Sequence, residues 1–98
     1  MSKAYFVYIM TNRWNRVFYT GFTGDLVRRV HQHRTKQIEG FTSRYNVQKL
    51  VYFEVWDSPE EAIRREKQIK AGSRDKKIRF IERMNPKMKD LYHEIASL

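Results

Sequence analysis

Residues 4–21, AYFVYIMTNRWNRVFYTG, contain two β-rich runs separated by a polar turn. The first run, residues 4–10, is apolar at successive positions and therefore predicts a strand that is covered on both faces. The second run, residues 17–21, is rich in β-branched and aromatic residues, and Asn12 and Asn15 favour a turn between the two. We expect these segments to form a β-hairpin, with Gly21 and Gly24 at its exit.

The segment after the hairpin predicts a helix, a loop and a third strand. Asp25 is a favourable N-cap for a helix that runs to about Lys36, and Leu26, Val27 and Val30 form its apolar stripe. Residues 37–47 are rich in glycine, serine, threonine and asparagine and are expected to form a loop. Residues 50–56, LVYFEVW, predict the third strand.

Three further helices are predicted in the remainder of the chain. Residues 58–61, SPEE, form a capping box with proline at the first helical position, and that helix should end near Gly72. Ser73 caps the next helix, which Asn85 and Pro86 terminate. A last helix is expected at about residues 86–97.

The predicted order is β-β-α-β-α-α-α, which indicates an α+β fold. A hairpin at the start favours a small three-stranded sheet, mixed or antiparallel, flanked by helices, over a doubly wound parallel sheet. The length of 98 residues is enough for one domain and too short for two. We therefore expect residues 1–98 to form a single domain, with a core at about 4–80 and the last helix as an addition.

Charge and composition narrow the choice of partner. Twenty Lys and Arg against eleven Asp and Glu give a net charge of +9, and residues 1–50 contribute +7 of it. Such an excess attracts polyanions, so a nucleic acid is the expected partner. No apolar run is long enough for a membrane span, and the absence of cysteine excludes disulfides and thiolate metal sites. A cytoplasmic location is the simplest expectation.

Helix phase singles out Arg29 and His33 in the first predicted helix. At about 100° per residue, Arg29 borders the apolar stripe and His33 follows it one turn later on the same face. These two side chains can therefore converge on a site beside the sheet, whereas Arg28 should point to solvent. The alternative is a basic helix face whose charges only keep the protein soluble.

The helix after the capping box has a predicted inward stripe formed by Ala62, Ile63 and Ile69, and Glu66 lies in the middle of this stripe. A carboxylate there is costly unless it is paired, hydrogen-bonded or bound to a metal. An i, i+4 pair with Lys70 would contribute only about 0.3–0.5 kcal/mol. A hard-cation site is the favoured interpretation, because one carboxylate completed by water and phosphate oxygens suits Mg²⁺.

Tyr8 and Tyr19 lie on the two strands of the predicted hairpin. Strand tyrosines are most often core residues, and a free phenol titrates near pH 10, so it is a poor base without a nearby cation. Arg29 or a bound metal would supply that cation. His31, His33 and His93 lack the spacing of a zinc site, and no glycine-rich phosphate loop is present.

These residues together resemble the GIY-YIG nuclease superfamily. The resemblance rests on residues 7–9 (VYI), residues 19–21 (YTG), Arg29, His33 and Glu66, and it spans about residues 4–80. Its most specific part is residues 19–33, YTGFTGDLVRRVHQH. The sequence is most similar to the small stand-alone bacterial members, and it also resembles the nuclease domains of excision repair and homing endonucleases.

The resemblance implies a three-stranded antiparallel sheet and hydrolysis of DNA phosphodiester bonds with one Mg²⁺ or Mn²⁺. It assigns Tyr8 and Tyr19 as the motif tyrosines, one of which helps to activate water. Arg29 would hold the scissile phosphate, His33 would lie near the nucleophile, and Glu66 would be the metal ligand. The further cations expected to contact nucleic acid are Arg28, Arg34, Lys36 and Arg44.

Three positions depart from the pattern of the family. Val7 replaces the glycine of the first motif and Thr20 the isoleucine of the second, and both replacements are compatible with a strand. Phe22 stands where the repair nucleases carry a lysine, which removes a cation near the tyrosine. We therefore expect the replacement at Phe22 to affect the rate of the reaction more than its type.

Two functions of different class follow from the sequence. The first is a metal-dependent DNA endonuclease that recognises DNA structure more than sequence and acts in repair or recombination. The second is a basic nucleic-acid-binding module with little or no catalysis. A third, weaker alternative is an RNA- or ribosome-associated protein, because charge does not separate DNA from RNA. The oligomeric state is left open.

Overall fold

The computed structural model describes residues 3–97, so Met1, Ser2 and Leu98 lie outside the described part of the predicted domain. The element order confirms the predicted α+β arrangement and adds one short helix in the segment predicted as a loop. The elements are β1 (Tyr5–Thr11), β2 (Phe18–Thr23), α1 (Leu26–Arg34), α2 (Phe41–Arg44), β3 (Lys49–Trp56), α3 (Pro59–Ala71), α4 (Arg74–Met84) and α5 (Tyr92–Ala96).

Within residues 3–97 the sheet has three strands in the order β2-β1-β3, and both pairings are antiparallel. β1 is central, which agrees with its run of apolar residues. Tyr8 lies opposite Gly21 on one side and Phe53 on the other. Because successive side chains of a strand point to opposite faces, Tyr8 and Met10 share one face while Val7 and Ile9 share the other.

Helices cover both faces of the sheet and create two apolar clusters. The first cluster joins Tyr8 and Met10 of β1 to the buried residues of α1 and α5, and the second joins Val7 and Ile9 to α3 and α4. This double cover explains why β1 is apolar from Tyr5 to Met10. It also places α1 and α3 on opposite faces, so a site shared by the two helices must lie at an edge of the sheet.

Three of the four predicted helix starts are confirmed, and each of these three is fixed by a local cap. Asp25 accepts a hydrogen bond from the N–H of Arg28, Ser58 from that of Glu61, and Ser73 from that of Lys76. α1 ends at Arg34, two residues earlier than predicted. Lys36 has a positive φ of 58°, which an α-helix does not accommodate.

The last helix is shorter than the predicted 86–97. Met88 has a positive φ of 48°, and the Asn85 side chain bonds both the N–H and the C=O of Lys89, so residues 85–89 form a turn. Asp90 then accepts hydrogen bonds from Leu50 and Tyr92, which anchors this segment to β3 beside the bulge at Val51. α5 therefore begins only at Tyr92.

Two residues of the predicted apolar stripes are exposed. Val27 of α1 is 39% exposed and Ile63 of α3 is 38% exposed, whereas Leu26, Ala62 and Ile69 are buried. The expectation that Val27 and Ile63 point inward was wrong, because the inward arc of each helix is narrower than the stripe drawn from the sequence. The helices of residues 3–97 include none whose length and hydropathy would allow it to span a membrane.

Candidate active site

The Tyr8 phenol lies across the edge strand β2, over Gly21. A Cβ atom built on Gly21 would lie 2.5 Å from both Cζ and the hydroxyl oxygen of Tyr8, which is closer than real Cβ contacts come. Only glycine leaves room for the ring at this position. The register of β1 and β2, which places Tyr8 opposite Gly21, thus fixes the depth and direction of the first motif tyrosine.

Tyr19 lies on the same face as Tyr8, as its diagonal neighbour across the strand pair. Their ring centroids are 6.2 Å apart. Tyr8 is fully buried, whereas Tyr19 remains partly accessible to solvent. The Lys70 ammonium of α3 lies 6.0 Å from the centroid of the Tyr19 ring, so a side chain from the opposite face reaches this tyrosine around the β2 edge.

His33 links the two tyrosines to α2. Its Nε2 atom lies 3.0 Å from the Tyr8 hydroxyl, its Nδ1 atom lies 3.0 Å from Oγ1 of Thr42, and its ring centroid is 5.4 Å from that of Tyr19. Burial, assisted by the Arg29 charge, lowers the pKa of His33 to about 4, so the imidazole is neutral at pH 7. A neutral imidazole can accept from Tyr8 while it donates to Thr42.

Thr42 is a polar partner that the sequence analysis missed. It is buried within α2, a four-residue helix in the segment predicted as a loop. A buried hydroxyl facing a buried imidazole satisfies both groups, which explains why a short helix persists here. The sequence held no periodicity that could have indicated it, because four residues complete only about one helical turn.

The pKa of Tyr8 identifies which charged groups lie near its phenol. Burial raises this pKa well above the usual value, and the neighbouring Tyr19 raises it further. Arg29 opposes the rise through its charge and its N–H groups, and Glu66 adds a smaller rise. Arg29 of α1 and Glu66 of α3 therefore both lie within electrostatic range of the same phenol, although their helices pack on different faces.

Arg29 connects this cluster to a surface cleft of about 540 Å³ at the start of α1. The cleft is polar and includes both Arg28 and Arg29. Arg29, and not Arg28, is among the groups that shift the pKa of Tyr8 and His33, in keeping with the helix phase. The residues that line the cleft are Lys3, Thr23, Gly24, Asp25, Arg28, Arg29 and Gln32.

Glu66 is half-buried on α3, one turn before Lys70. The two ion pairs within residues 3–97 join Arg34 to Asp90 and Arg65 to Glu54, so Glu66 does not pair with Lys70. Lys70 approaches Tyr19 instead, and residues four apart share a helix face. The Glu66 carboxylate is accordingly on the side of α3 that faces the tyrosine cluster.

The donor set at Glu66 fits a hard divalent cation and does not fit zinc. No group of three His, Asp or Glu side chains within the described chain is arranged to hold a metal. A single carboxylate suits Mg²⁺ or Mn²⁺, which keep water and phosphate oxygens as their other ligands. The residue that would hold the cation is Glu66.

The other cations predicted to contact nucleic acid have different surroundings. Arg34 donates to Asp90 at 2.6 Å and lies over the Tyr92 ring at 4.5 Å, contacts that fasten the C-terminal segment to α1. Lys36 and Arg44 are exposed. Phe22, at the position of the missing lysine, stacks on Tyr5 with ring centroids 6.1 Å apart and belongs to the second cluster, away from Tyr19.

Comparison with known proteins finds a family model and relatives that cover most of this chain. The family model described as the GIY-YIG catalytic domain matches residues 4–79. A UPF0213 protein of Staphylococcus saprophyticus is 36% identical over 81 residues, which are 83% of this chain and 96% of that protein. A UPF0213 protein of Haloquadratum walsbyi is 34% identical over 82 residues, or 84% and 91% of the two chains.

A solved structure has the same fold. The solution structure of a UPF0213 protein from Bacillus halodurans superposes with a TM-score of 0.57 and 29% sequence identity, covering 89% of this chain and 92% of that one. The family match spans β1 to α4, the elements that supply Tyr8, Tyr19, Arg29, His33 and Glu66. This chain belongs to the GIY-YIG catalytic domain family.

Proposed function

We propose that this protein is a divalent-metal-dependent endonuclease that hydrolyses phosphodiester bonds of DNA. The observation that carries the proposal is the convergence around one phenol of the motif side chains from β1, β2, α1 and α3. Tyr8, Tyr19, His33 and Arg29 contact or electrostatically influence each other, and Glu66 acts on Tyr8 from the far side of the sheet edge. A module that only binds nucleic acid has no need of a half-buried carboxylate there.

The burial pattern supports different roles for the two tyrosines. Tyr19 is the accessible phenol and would meet the attacking water, with the Lys70 ammonium near its ring. Tyr8 is fully buried, remains a neutral phenol and would fix the positions of His33 and Tyr19. His33 is only 1% exposed and is bonded on both sides, so it would act through Tyr8 and not on the substrate directly.

Arg29 and Glu66 would act on the scissile phosphate. Arg29 lines the polar cleft, where its guanidinium can hold two phosphate oxygens and stabilise the charge that develops on them. Glu66 would hold Mg²⁺ or Mn²⁺, which when bound supplies additional positive charge to the phosphate. Water attack on phosphorus then breaks the bond to the leaving oxygen of the DNA strand.

The cleft also supports selection of DNA by structure. Contacts from arginines and from backbone groups at a helix start go to phosphates, which position DNA without reading its sequence. Branched, flapped or supercoiled DNA is therefore the expected substrate, in repair or recombination.

The decisive experiment is a metal-dependent cleavage assay across junctions, flaps, single strands and supercoiled plasmid. The wild-type protein should cut at least one of these with Mn²⁺ or Mg²⁺, and chelator should stop it. Glu66→Ala and Arg29→Ala should each reduce the cleavage rate by at least about 100-fold, because each removes a group that stabilises transition-state charge, while most binding is retained.

Arg28→Ala is the matched control, since it removes a neighbouring arginine from the same cleft without removing one that acts on the tyrosine cluster. It should weaken salt-sensitive binding and leave the chemical step intact. Cleavage by Glu66→Ala at the wild-type rate would overturn the proposal. Binding without cleavage on the whole substrate panel would support the binding module instead.

A further inference from the structure

A second groove, which none of the proposed catalytic residues lines, adjoins the candidate active site. It has a volume of about 330 Å³ and lies between the start of β2, α2 and the first turns of α4. We call it the aromatic groove and define it by three aromatic and three basic side chains. These are Phe18, Phe41, Tyr45, Arg16, Arg74 and Lys77.

Two of the three aromatic rings of this groove are exposed to solvent. Phe41 is 48% exposed and Tyr45 is 45% exposed, and their ring centroids lie 5.0 Å apart. The Arg74 guanidinium lies 5.4 Å from the centroid of the Phe18 ring. Adjacent exposed rings on a small protein indicate a contact surface, because packing within the protein alone would have buried them. No carboxylate from residues 3–97 lines the groove.

Three elements that line the groove, β2, α2 and α4, also carry or contact residues of the candidate active site. Phe41 precedes Thr42, the partner of His33, and Phe18 precedes Tyr19. On α4, the Lys77 ammonium donates to the backbone carbonyl of Lys70, whose own side chain lies near Tyr19. A strand that enters the site can therefore extend into the groove.

We infer that the aromatic groove binds unpaired bases of single-stranded DNA next to the scissile phosphate. The inference rests on the proposed function for its placement beside a phosphodiester bond. Phe41 and Tyr45 supply faces on which bases stack, and Arg16, Arg74 and Lys77 face the phosphates. Bases of a duplex are already stacked on each other, so the groove selects DNA with an unpaired segment.

Charge argues against other occupants of the groove. A second copy of this chain would bring the same three cations to the interface, and the whole chain carries +9. Like charges at close range oppose such an association. A polyanion with exposed aromatic rings matches both the cations and the side-chain rings, and single-stranded DNA has both features.

The test is a binding titration that does not depend on cleavage. The Glu66→Gln protein, in chelator, is titrated against labelled oligothymidylate of about 12 nucleotides and against a duplex of the same length. We expect tighter binding of the single strand. Phe41→Leu and Tyr45→Leu should each weaken it by about fivefold or more, because stacking is lost while an apolar side chain remains.

Two variants serve as controls. Phe41→Trp retains a ring and should retain the affinity, and Val55→Ala, which trims an exposed side chain of β3 at the opposite edge of the sheet, should leave binding unchanged. The titration can be interpreted even if no cleavage is seen in the earlier assay. The cleavage assay can likewise be interpreted if the titration shows no tighter binding of the single strand.

Several outcomes would overturn the inference. Unchanged single-strand affinity in Phe41→Leu and Tyr45→Leu would show that the rings do not stack on bases. Equal losses for duplex and single strand would indicate general phosphate binding. Tighter binding of oligouridylate would assign the groove to RNA. Self-association that Phe41→Leu abolishes, with oligonucleotide binding unchanged, would assign it to a second copy of the chain.

Discussion

The imidazole of His33 is held between a phenol and a hydroxyl in the protein interior. Its hydrogen bonds to Tyr8 and Thr42 occupy both ring nitrogens. Protonation would place a positive charge next to Arg29 without solvent to stabilise it. The neutral state of one side chain therefore becomes a condition for the stability of the folded protein.

This condition predicts how stability depends on pH. The pKa of His33 is about 4 in the folded state against 6.5 ordinarily, so between these values the unfolded chain binds a proton that the folded chain does not. Stability should therefore fall as the pH drops from about 6.5 to about 4, by as much as about 3 kcal/mol. Denaturant unfolding at several pH values measures it.

The His33→Gln variant is the comparison for that measurement. Glutamine can bond to Tyr8 and Thr42 but does not titrate, so this variant should lack the corresponding part of the pH dependence. The same dependence on pH in both proteins would mean that other groups account for it.

At the scale of elements, α5 and the segment before it are tied to the rest of the fold by polar contacts. Asp90 accepts from the N–H groups of Leu50 and Tyr92 and pairs with Arg34, which also lies over the Tyr92 ring. Leu91 donates to the carbonyl oxygen of Leu50. Arg34 is thus engaged in holding α5 against α1, whereas the sequence analysis expected it to contact nucleic acid.

Arg34→Ala should consequently reduce stability more than nucleic-acid affinity. We expect a loss of about 1 kcal/mol in the free energy of unfolding, from the ion pair and the stacking on Tyr92. Denaturant unfolding and DNA titration of the same variant measure the two effects. Unchanged stability together with a clear loss of DNA affinity would support the prediction that Arg34 contacts nucleic acid.

Elements fixed by local chemistry could be predicted from the sequence. The helix starts at Asp25, Ser58 and Ser73 depend on caps within three residues, and the hairpin depends on adjacent strands. Helix phase is also a local property, and it predicted Arg29 and His33 as a pair on one helix face. The association of Glu66 with this pair was predicted from the resemblance to a known family and not from local sequence.

Features that depend on distant contacts could not be predicted. α2 owes its position to Thr42 facing His33, and the turn before α5 owes its form to Asn85 bonding the carbonyl of Val51. Lys70 was considered only as a partner of Glu66, because nothing local indicates that it reaches Tyr19 around the sheet edge. Each of these contacts joins residues of different elements, nine apart for His33 and Thr42 and 34 apart for Val51 and Asn85.

At the scale of the whole molecule, size and charge together limit how the proposed DNA substrate would be recognised. The longest dimension of the described chain is 38 Å, which is about one turn of duplex DNA. A protein of this length, with +7 of its charge in residues 1–50, is suited to contacts with phosphates that lie within about one turn of the duplex. Long sequence-specific sites are outside the reach of one copy.

Affinity for DNA should therefore depend strongly on salt. Each phosphate contact contributes about 0.9 to the negative slope of log affinity against log salt concentration. Arg28→Ala and Arg44→Ala should each lower the magnitude of that slope by about 1. Arg83→Ala, at the exposed end of α4, is the control and should leave the slope unchanged. Equal slopes in all variants would exclude Arg28 and Arg44 from the contact surface.

The glycine opposite Tyr8 has a consequence for any attempt to redesign this enzyme family. Because the phenol occupies the volume that a methyl group on Gly21 would need, the size of the side chain at 8 decides which residues position 21 can hold. A larger residue at 21 is compatible with the fold only if the ring at 8 is made smaller. Libraries that aim at altered activity should sample the two positions jointly.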